Sequence, residues 1–110
     1  MITQPELARE LEQEMMLIKN DLENSVETQN YEVIDEFLND ALDLIYYVDA
    51  GTMDVVGFDI GVTVGGPNIN LEYSRGRCEL IGAWGGAHLT MNVNNAVCEE
   101  ILERVEEQAF

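Results

Sequence analysis

Hydrophobic residues near the start of the chain recur at the spacing of an amphipathic helix. They follow one another at intervals of four, four, three and four residues and form one apolar stripe: Leu7, Leu11, Met15, Ile18 and Leu22. This period predicts a helix that begins near Thr3 or Gln4. Pro5 suits its first turn, where the missing N–H costs nothing. We expect the helix to fade through residues 24–30, where Asn, Ser and Thr compete for backbone hydrogen bonds.

A second apolar face predicts a helix from Tyr31 to Val48, with Asn30 as its N-cap. Its inward residues are Ile34, Phe37, Leu38, Ala41, Leu42, Ile45 and Val48. With about 100° between successive residues, four carboxylates fall in one stripe on the opposite side. These are Glu32, Glu36, Asp40 and Asp43. The segment 49–54 then ends the helix, and we expect a positive φ at Gly51.

Strict alternation replaces the helical period after Met53 and predicts strands. In the first strand the inward residues are Val56, Phe58, Ile60, Val62 and Val64. The next two strands turn inward Ile69, Leu71 and Tyr73, then Cys78, Leu80, Gly82 and Trp84. Gly76 supplies the freedom of a short hairpin loop between them, and we expect Arg75 and Arg77 to be solvated at this turn. Residues 87–93 are predicted as a short fourth strand in the four-stranded alternative to a three-stranded sheet.

A last helical pattern covers Asn94 to Gln108, with Val97, Ile101, Leu102 and Val105 inward. The pattern as a whole predicts one α+β domain over residues 1–110. It has two N-terminal helices, a three- to four-stranded antiparallel sheet and a C-terminal helix.

Charge changes the picture more than composition does. The chain has 22 acidic and 5 basic residues, a net charge of −17. This excludes a conventional role in gripping nucleic acid or an anionic membrane, and it favours a cationic surface on another macromolecule. No apolar run approaches the roughly 20 residues that span a bilayer, and the N-terminal segment lacks signal-peptide features. We therefore expect a cytoplasmic protein in which Cys78 and Cys98 are reduced and partly buried, a disulfide being the alternative.

Residue combinations that carry catalysis or bind cofactors are missing from the pattern. His88 is the only histidine, so a site built on several histidines is impossible. The glycine-rich stretches lack the Lys-Ser/Thr pair of a phosphate-binding loop. Asp49, Asp54 and Asp59 lack the spacing and terminal Glu of an EF-hand loop. We expect no enzyme activity, no metal and no cofactor.

The acidic residues themselves are the candidate functional feature. Thirteen of them precede residue 50, against Arg9 and Lys19. Several are spaced by four, which destabilises a helix by a few tenths of a kcal/mol per pair. Rows spaced by ~6 Å along a helix offer a charge density comparable to duplex phosphates at ~3.4 Å. The candidate partner-binding residues are Glu10, Glu14, Glu32, Asp35, Glu36, Asp40, Asp43, Glu99, Glu103, Glu106 and Glu107.

The acidic stretches YEVIDEFLNDALDLIYYVD and CEEILERVEEQ give the chain a resemblance to small acidic inhibitors of phages and mobile elements. In particular, it resembles anti-CRISPR proteins that mimic DNA. The segment GGPNINLEYSRGRCELIGAWGG is similar to a recurring segment of small mobile-element proteins. The resemblance implies an inhibitor in the host cytoplasm that blocks target-DNA binding by a CRISPR effector, through a Lys/Arg-rich site. These families share no common fold or motif, so it assigns no residue a role.

Two other interpretations fit the same pattern. A halophile's protein is acidic for reasons unrelated to binding, and it would lose structure in low salt. A protein-binding or homo-oligomeric module would instead use the exposed sheet face or the ribbon around Tyr73 and Trp84, since aromatic residues are favoured interface anchors. Homodimerisation therefore stays open.

Overall fold

The computed structural model describes residues 4–62 and 67–109, with side chains at 6–62 and 67–105. Its elements in chain order are α1 (Gln4–Thr28), α2 (Glu32–Asn39), β1 (Asp43–Val48), β2 (Val55–Gly61), β3 (Asn68–Ser74), β4 (Arg77–Trp84), β5 (Ala87–Asn92) and α3 (Asn95–Ala109). The predicted α+β class is confirmed, but the sheet has five strands rather than three or four. The predicted inward Val64 lies outside the described residues, as does Thr3.

Helix α1 ends in a hydrogen-bonded cap rather than fading. The Gln29 N–H donates to the Val26 carbonyl at 3.2 Å, and the Asn30 N–H donates to the Ser25 carbonyl at 3.0 Å. These are the two bonds of a Schellman motif, and Gln29 has the positive φ, 59°, that the motif requires. The helix continues to Thr28 because this cap satisfies its last carbonyl groups.

The predicted helix from Tyr31 to Val48 is wrong in its second half. Helix α2 ends at Asn39, and residues 43–48 form strand β1. Most of residues 44–48 are β-branched or aromatic, which favours a strand, and pairing with β2 satisfies the backbone groups of β1. A spacing of three residues also misled the prediction, since its supposedly inward residues are exposed: Leu42, Ile45 and Val48.

The sheet is an antiparallel meander in the order β1-β2-β3-β4-β5. Arg75 and Gly76, with φ of 54° and 75°, connect β3 to β4, as a type I′ turn requires. This confirms the short hairpin loop that was predicted at Gly76. The predicted fourth strand is β5 at one edge of the sheet, and the unpredicted β1 forms the other edge.

A β-bulge in β2 changes which of its valines is buried. Tyr47 pairs with Gly57 but Val48 pairs with Val55, so Val56 is an extra residue in the ladder. Val55 is buried and Val56 is 49% exposed. The prediction that Val56 points inward is therefore wrong, because one inserted residue reverses the alternation on which that prediction relied.

The loop between β1 and β2 has its positive φ at Met53 (63°), not at Gly51. The Asp49 carboxylate accepts hydrogen bonds from the N–H groups of Gly51 at 2.8 Å and Thr52 at 3.0 Å. These hydrogen bonds lower the pKa of Asp49 below its ordinary value, and the bond from Thr52 has the largest effect. The prediction for Gly51 fails because the segment closes a hairpin and does not end a helix.

One face of the sheet is covered by helices. Helix α1 packs on β4 and β5, α3 packs on β2 and β4, and α2 packs on α1. The helices and the sheet both contribute the largest fully buried side chains, which are Leu11, Met15, Leu22, Ile34, Phe58, Ile60, Ile69, Leu71, Leu80, Val97, Ile101 and Val105. Most of the predicted inward residues of the strands and helices are thus confirmed as core.

A disulfide joins Cys78 of β4 to Cys98 of α3, with the two Cα atoms 6.1 Å apart. Both residues are buried. The expectation of reduced thiols is therefore wrong, because it was argued from compartment alone, whereas the packing of α3 on the sheet brings the two residues together. The bond fastens α3 to the sheet.

Candidate functional site

Six of the predicted contact carboxylates are exposed on the three helices and have no internal partner among the described residues. They are Glu10 and Glu14 in α1, Glu32 and Glu36 in α2, and Glu99 and Glu103 in α3. Within the described residues, none of the six forms an ion pair or a side-chain hydrogen bond. Glu106 and Glu107 also belong to α3, but their side chains lie outside the described residues.

The predicted stripe of four acidic residues on one helix does not exist. Asp40 is the C-cap of α2, and Asp43 lies in β1 opposite Gly61 of β2. Asp43 is therefore on the sheet, on the face opposite to α1 and α3. Only Glu32 and Glu36 remain together on a helix, because the helix ends before the stripe does.

Asp35 has an internal partner. Its Oδ1 accepts a hydrogen bond from Nε of Arg104 at 2.7 Å, and Arg104 also pairs with Glu100 one turn earlier in α3. The Arg104 guanidinium lies 5.0 Å from the ring centroid of Tyr31. The Asp35 hydrogen bond is the main cause that raises the pKa of Arg104. Asp35 thus links α2 to α3. Its carboxylate is already bound by Arg104, unlike the carboxylates of Glu32 and Glu36.

The uncovered face of the sheet carries carboxylates that were not among the predicted contact residues. Asp59 of β2 lies opposite Glu72 of β3, and Glu72 lies opposite Glu79 of β4. Cβ atoms of such cross-strand neighbours are about 5 Å apart, and like charges in this position are destabilising. All three occupy outward positions in alternating strands, but only the strand register shows that they form one row. We call this surface the open sheet face; it comprises the outward side chains of the strands, including Asp43, Ile45, Tyr47, Asp59, Glu72, Glu79 and Ile81.

Glu72 is the centre of this row. Partial burial raises its pKa above the ordinary value of 4.5, and the neighbouring Asp59, through its charge and a hydrogen bond, and then Glu79 raise it further. Asp59 itself accepts a hydrogen bond from Nδ2 of Asn70 at 3.0 Å. Ionised Glu72 is therefore less favourable here than in water, because it is partly buried and has two carboxylates beside it.

Glu72 also lies between two concavities of the open sheet face. One, of about 500 Å³, is lined by Glu72, Glu79, Tyr47 and Arg77, among others. The other, of about 230 Å³, is lined by Glu72, Asn70, Ile81 and His88, among others. Nε of Arg77 is 3.9 Å from Oε1 of Glu79, and its side chain is 76% exposed, so this pair neutralises the row only weakly. The exposure of Arg75 and Arg77 at their turn was predicted and is confirmed.

Exposed apolar side chains accompany the carboxylates. Ile45, Tyr47 and Ile81 are exposed on the open sheet face. Further exposed residues lie on or beside the edge strand β1: Leu42, Val48, Met53 and Val56. By contrast, the proposed anchors Tyr73 and Trp84 are half-buried, and the Tyr73 ring packs against Phe58 with centroids 5.7 Å apart. Tyr73 is therefore a member of the core rather than an exposed anchor.

No cluster of three or more His, Cys, Asp or Glu residues suited to a metal ion occurs among the described residues. His88 is exposed in β5, opposite Ala83 of β4. The helices in the described ranges, residues 4–62 and 67–109, include none that is long and apolar enough to cross a membrane.

Comparison with known proteins adds no relative. No protein-family model matches the sequence, no curated protein matches it, and no solved structure matches the chain.

Proposed function

We propose that this protein mimics nucleic acid and inhibits a nucleic-acid-binding protein by occupying its cationic site. The observation that carries the proposal is the set of six exposed helical carboxylates that have no partner among the described residues, in a chain of net charge −17. Three of the five basic residues, Lys19, Arg77 and Arg104, are already paired with carboxylates of the same chain. The surface therefore presents excess negative charge on a rigid support.

Rigid spacing supports mimicry over unspecific attraction. Glu10 and Glu14, like Glu32 and Glu36 or Glu99 and Glu103, lie four residues apart and hence about 6 Å apart along a helix axis. Phosphates of one DNA strand are spaced by ~3.4 Å along the axis. Two acidic helices together thus approach the charge density of a strand, and binding releases the counterions of the basic site.

The resemblance to DNA-mimicking anti-CRISPR proteins makes a CRISPR effector the first target to test. We propose binding without catalysis, without a cofactor and without direct contact to nucleic acid. Action in the cytoplasm of a bacterial host belongs to this proposal. Disulfides persist mainly in oxidising compartments, so cytoplasmic action requires that the fold stand with Cys78 and Cys98 reduced.

A competition assay tests the proposal. The protein is titrated into a guide-loaded CRISPR effector that holds labelled target DNA. We expect displacement of the DNA, with an apparent affinity that falls roughly 10³-fold between about 50 and 200 mM salt, as for six or more phosphate contacts. A variant with Gln at all six helical carboxylates should lose this displacement, whereas the charge-neutral changes Gln13→Ala and Asn20→Ala should preserve it.

This design distinguishes a wrong target from a wrong mechanism. Absence of DNA displacement rejects the CRISPR effector as the target. If, in addition, the protein does not bind a labelled nona-arginine peptide at low salt, where the attraction is strongest, mimicry itself is rejected.

The edge strand β1 favours a second candidate, a homodimer. β1 has an unpaired edge flanked by exposed Leu42, Val48 and Met53, and such edges pair readily with another chain. Analytical ultracentrifugation of the wild type and of Val48→Lys distinguishes the two. A dimer that Val48→Lys dissociates supports this candidate, and a monomeric wild type at all concentrations rejects it.

A further inference from the structure

We propose that the helical carboxylates attract the partner and that the open sheet face then binds an arginine-bearing segment of its basic surface. Asp59, Glu72 and Glu79 bind the guanidinium groups, while Tyr47 and Ile81 contact the aliphatic parts of the segment. This inference rests on the proposed function, because it takes the partner to be basic and assigns the site that receives it.

The uncovered sheet is the first step. Helices α1 and α3 pack on the opposite face. Tyr47 near one edge and His88 in β5 at the other are exposed, and Asp59, Glu72 and Glu79 between them are half-buried. Exposed apolar residues on this face provide apolar area that a partner removes from water on binding. Ile45 and Ile81, 48% and 37% exposed, are such residues.

Charge selects the occupant. Three carboxylates in direct cross-strand register repel one another. Of the carboxylates in the described part of the chain, the exposed Arg77 pairs with Glu79 alone, at 3.9 Å. A cation beside Glu72 would offset the repulsion from Asp59 and Glu79 and favour the ionised form of Glu72. The folded protein therefore maintains an unfavourable arrangement that a basic partner relieves.

The shape of the face favours arginine over lysine. Glu72 lines both concavities, of about 500 and 230 Å³, and the larger is within the usual range of ligand sites. Arginine presents a planar fork that binds carboxylates with two hydrogen bonds and stacks on aromatic rings. Tyr47 lines the larger concavity together with Glu72 and Glu79 and provides such a ring.

The described concavity on a helix does not combine carboxylates in the same way. The concavity on α1, of about 380 Å³, contains Glu12 as its single carboxylate, beside Met16 and Leu17. The exposed carboxylates Glu32 and Glu36 of α2 and Glu99 and Glu103 of α3 line none of these three concavities. They supply long-range attraction, which steers a basic partner, but they do not surround a guanidinium group.

Two charge-matched variants test the site with a fluorescein-labelled nona-arginine peptide. Glu72→Gln with Glu79→Gln changes the open sheet face, and Glu99→Gln with Glu103→Gln removes the same charge from α3. We expect about tenfold weaker binding for the first and about twofold for the second, since only the first removes direct charge-assisted contacts. Ile81→Ser should weaken binding more than Leu17→Ser, although Leu17 is the more exposed, at 64% against 37%.

Backbone NMR locates the bound peptide directly. We expect the shifts to concentrate in β2, β3 and β4. Binding with shifts confined to the helices, or equal losses in the two charge-matched variants, overturns this inference and leaves the proposed function intact. No binding of the peptide by any form rejects the proposed function as well. Sheet shifts that appear on raising the protein concentration alone would assign the face to a second copy and overturn the inference.

Discussion

Met15 of α1 packs against the backbone of Gly82 in β4, so closely that a Cβ atom at Gly82 would lie 2.5 Å from the Met15 sulfur. The same atom would lie 2.8 Å from Cδ1 of Leu11. Gly82 thus allows α1 to approach the sheet, and the packing between them requires a residue without a side chain at this position.

Gly82→Ala should lower the free energy of unfolding by about 1–3 kcal/mol, because the buried side chains of Met15 and Leu11 must shift to make room. Gly61→Ala is the matched control, since its Cβ would meet only ordinary contacts, at 3.4 Å and beyond. Urea unfolding followed by circular dichroism measures both. Equal stabilities of the two variants would show that α1 does not contact the sheet at Gly82.

Replacement of both Cys78 and Cys98 by Ala should lower the free energy of unfolding by about 3 kcal/mol, since the bond closes a loop with a sequence separation of 20. A reductant should lower the melting temperature of the wild type toward that of the variant and leave the variant unchanged. A wild type whose melting temperature does not change with reductant, even where unfolding makes the two sulfur atoms accessible, would contradict the disulfide. The melting temperature of the reduced protein also decides whether the fold stands in a reducing cytoplasm.

Arg104→Met should destabilise the protein by about 1–2 kcal/mol, because Arg104 holds Asp35 of α2 against α3 and stacks on Tyr31. Arg77→Met removes the same charge from an exposed pair and should change stability by less than about 0.5 kcal/mol. Urea unfolding compares the two, and hydrogen exchange should accelerate in α2 for Arg104→Met alone. Similar effects of both variants would reduce the role of Arg104 to net charge.

Glu72→Gln should stabilise the protein at neutral pH and leave its stability unchanged in acid. The pKa of Glu72 is raised in the folded state above its ordinary value of 4.5, so the folded protein binds this proton more tightly than the unfolded chain. The stability that this tighter proton binding contributes is fully present below the pKa of the unfolded state, and it is lost as the pH rises through the pKa of the folded state. Urea unfolding at about pH 4 and about pH 7 measures the difference, with Glu99→Gln as the control for net charge. A Glu72→Gln effect that is equal at both pH values contradicts the repulsion argument.

Local signals were sufficient for much of the fold. The stripe through Leu11, Met15 and Leu22 predicted α1, and the alternation through Leu71 and Leu80 predicted two strands of the sheet, because burial imposes the period of each element on its sequence. Strand β1 was missed since the spacing of Leu42, Ile45 and Val48 is also helical. What decided its conformation was pairing with β2, a contact between segments that are separate in the sequence.

The candidate site divides in the same way. Exposed Glu10, Glu36 and Glu103 were predicted from helical periodicity alone. The alignment of Asp59 with Glu72 and Glu79 depends on strand register, which the sequence of a single strand does not specify.

By itself, the sequence determined an acidic α+β protein with one apolar stripe for each long helix and alternating strands, because solvent acts on every residue through its own polarity. Tertiary structure alone decided the fifth strand, the pairing of Cys78 with Cys98, the role of Asp35 as a link between helices and the carboxylate row on the sheet. Each of these depends on which distant residues become neighbours, and that is set by the packing of whole elements rather than by local preference.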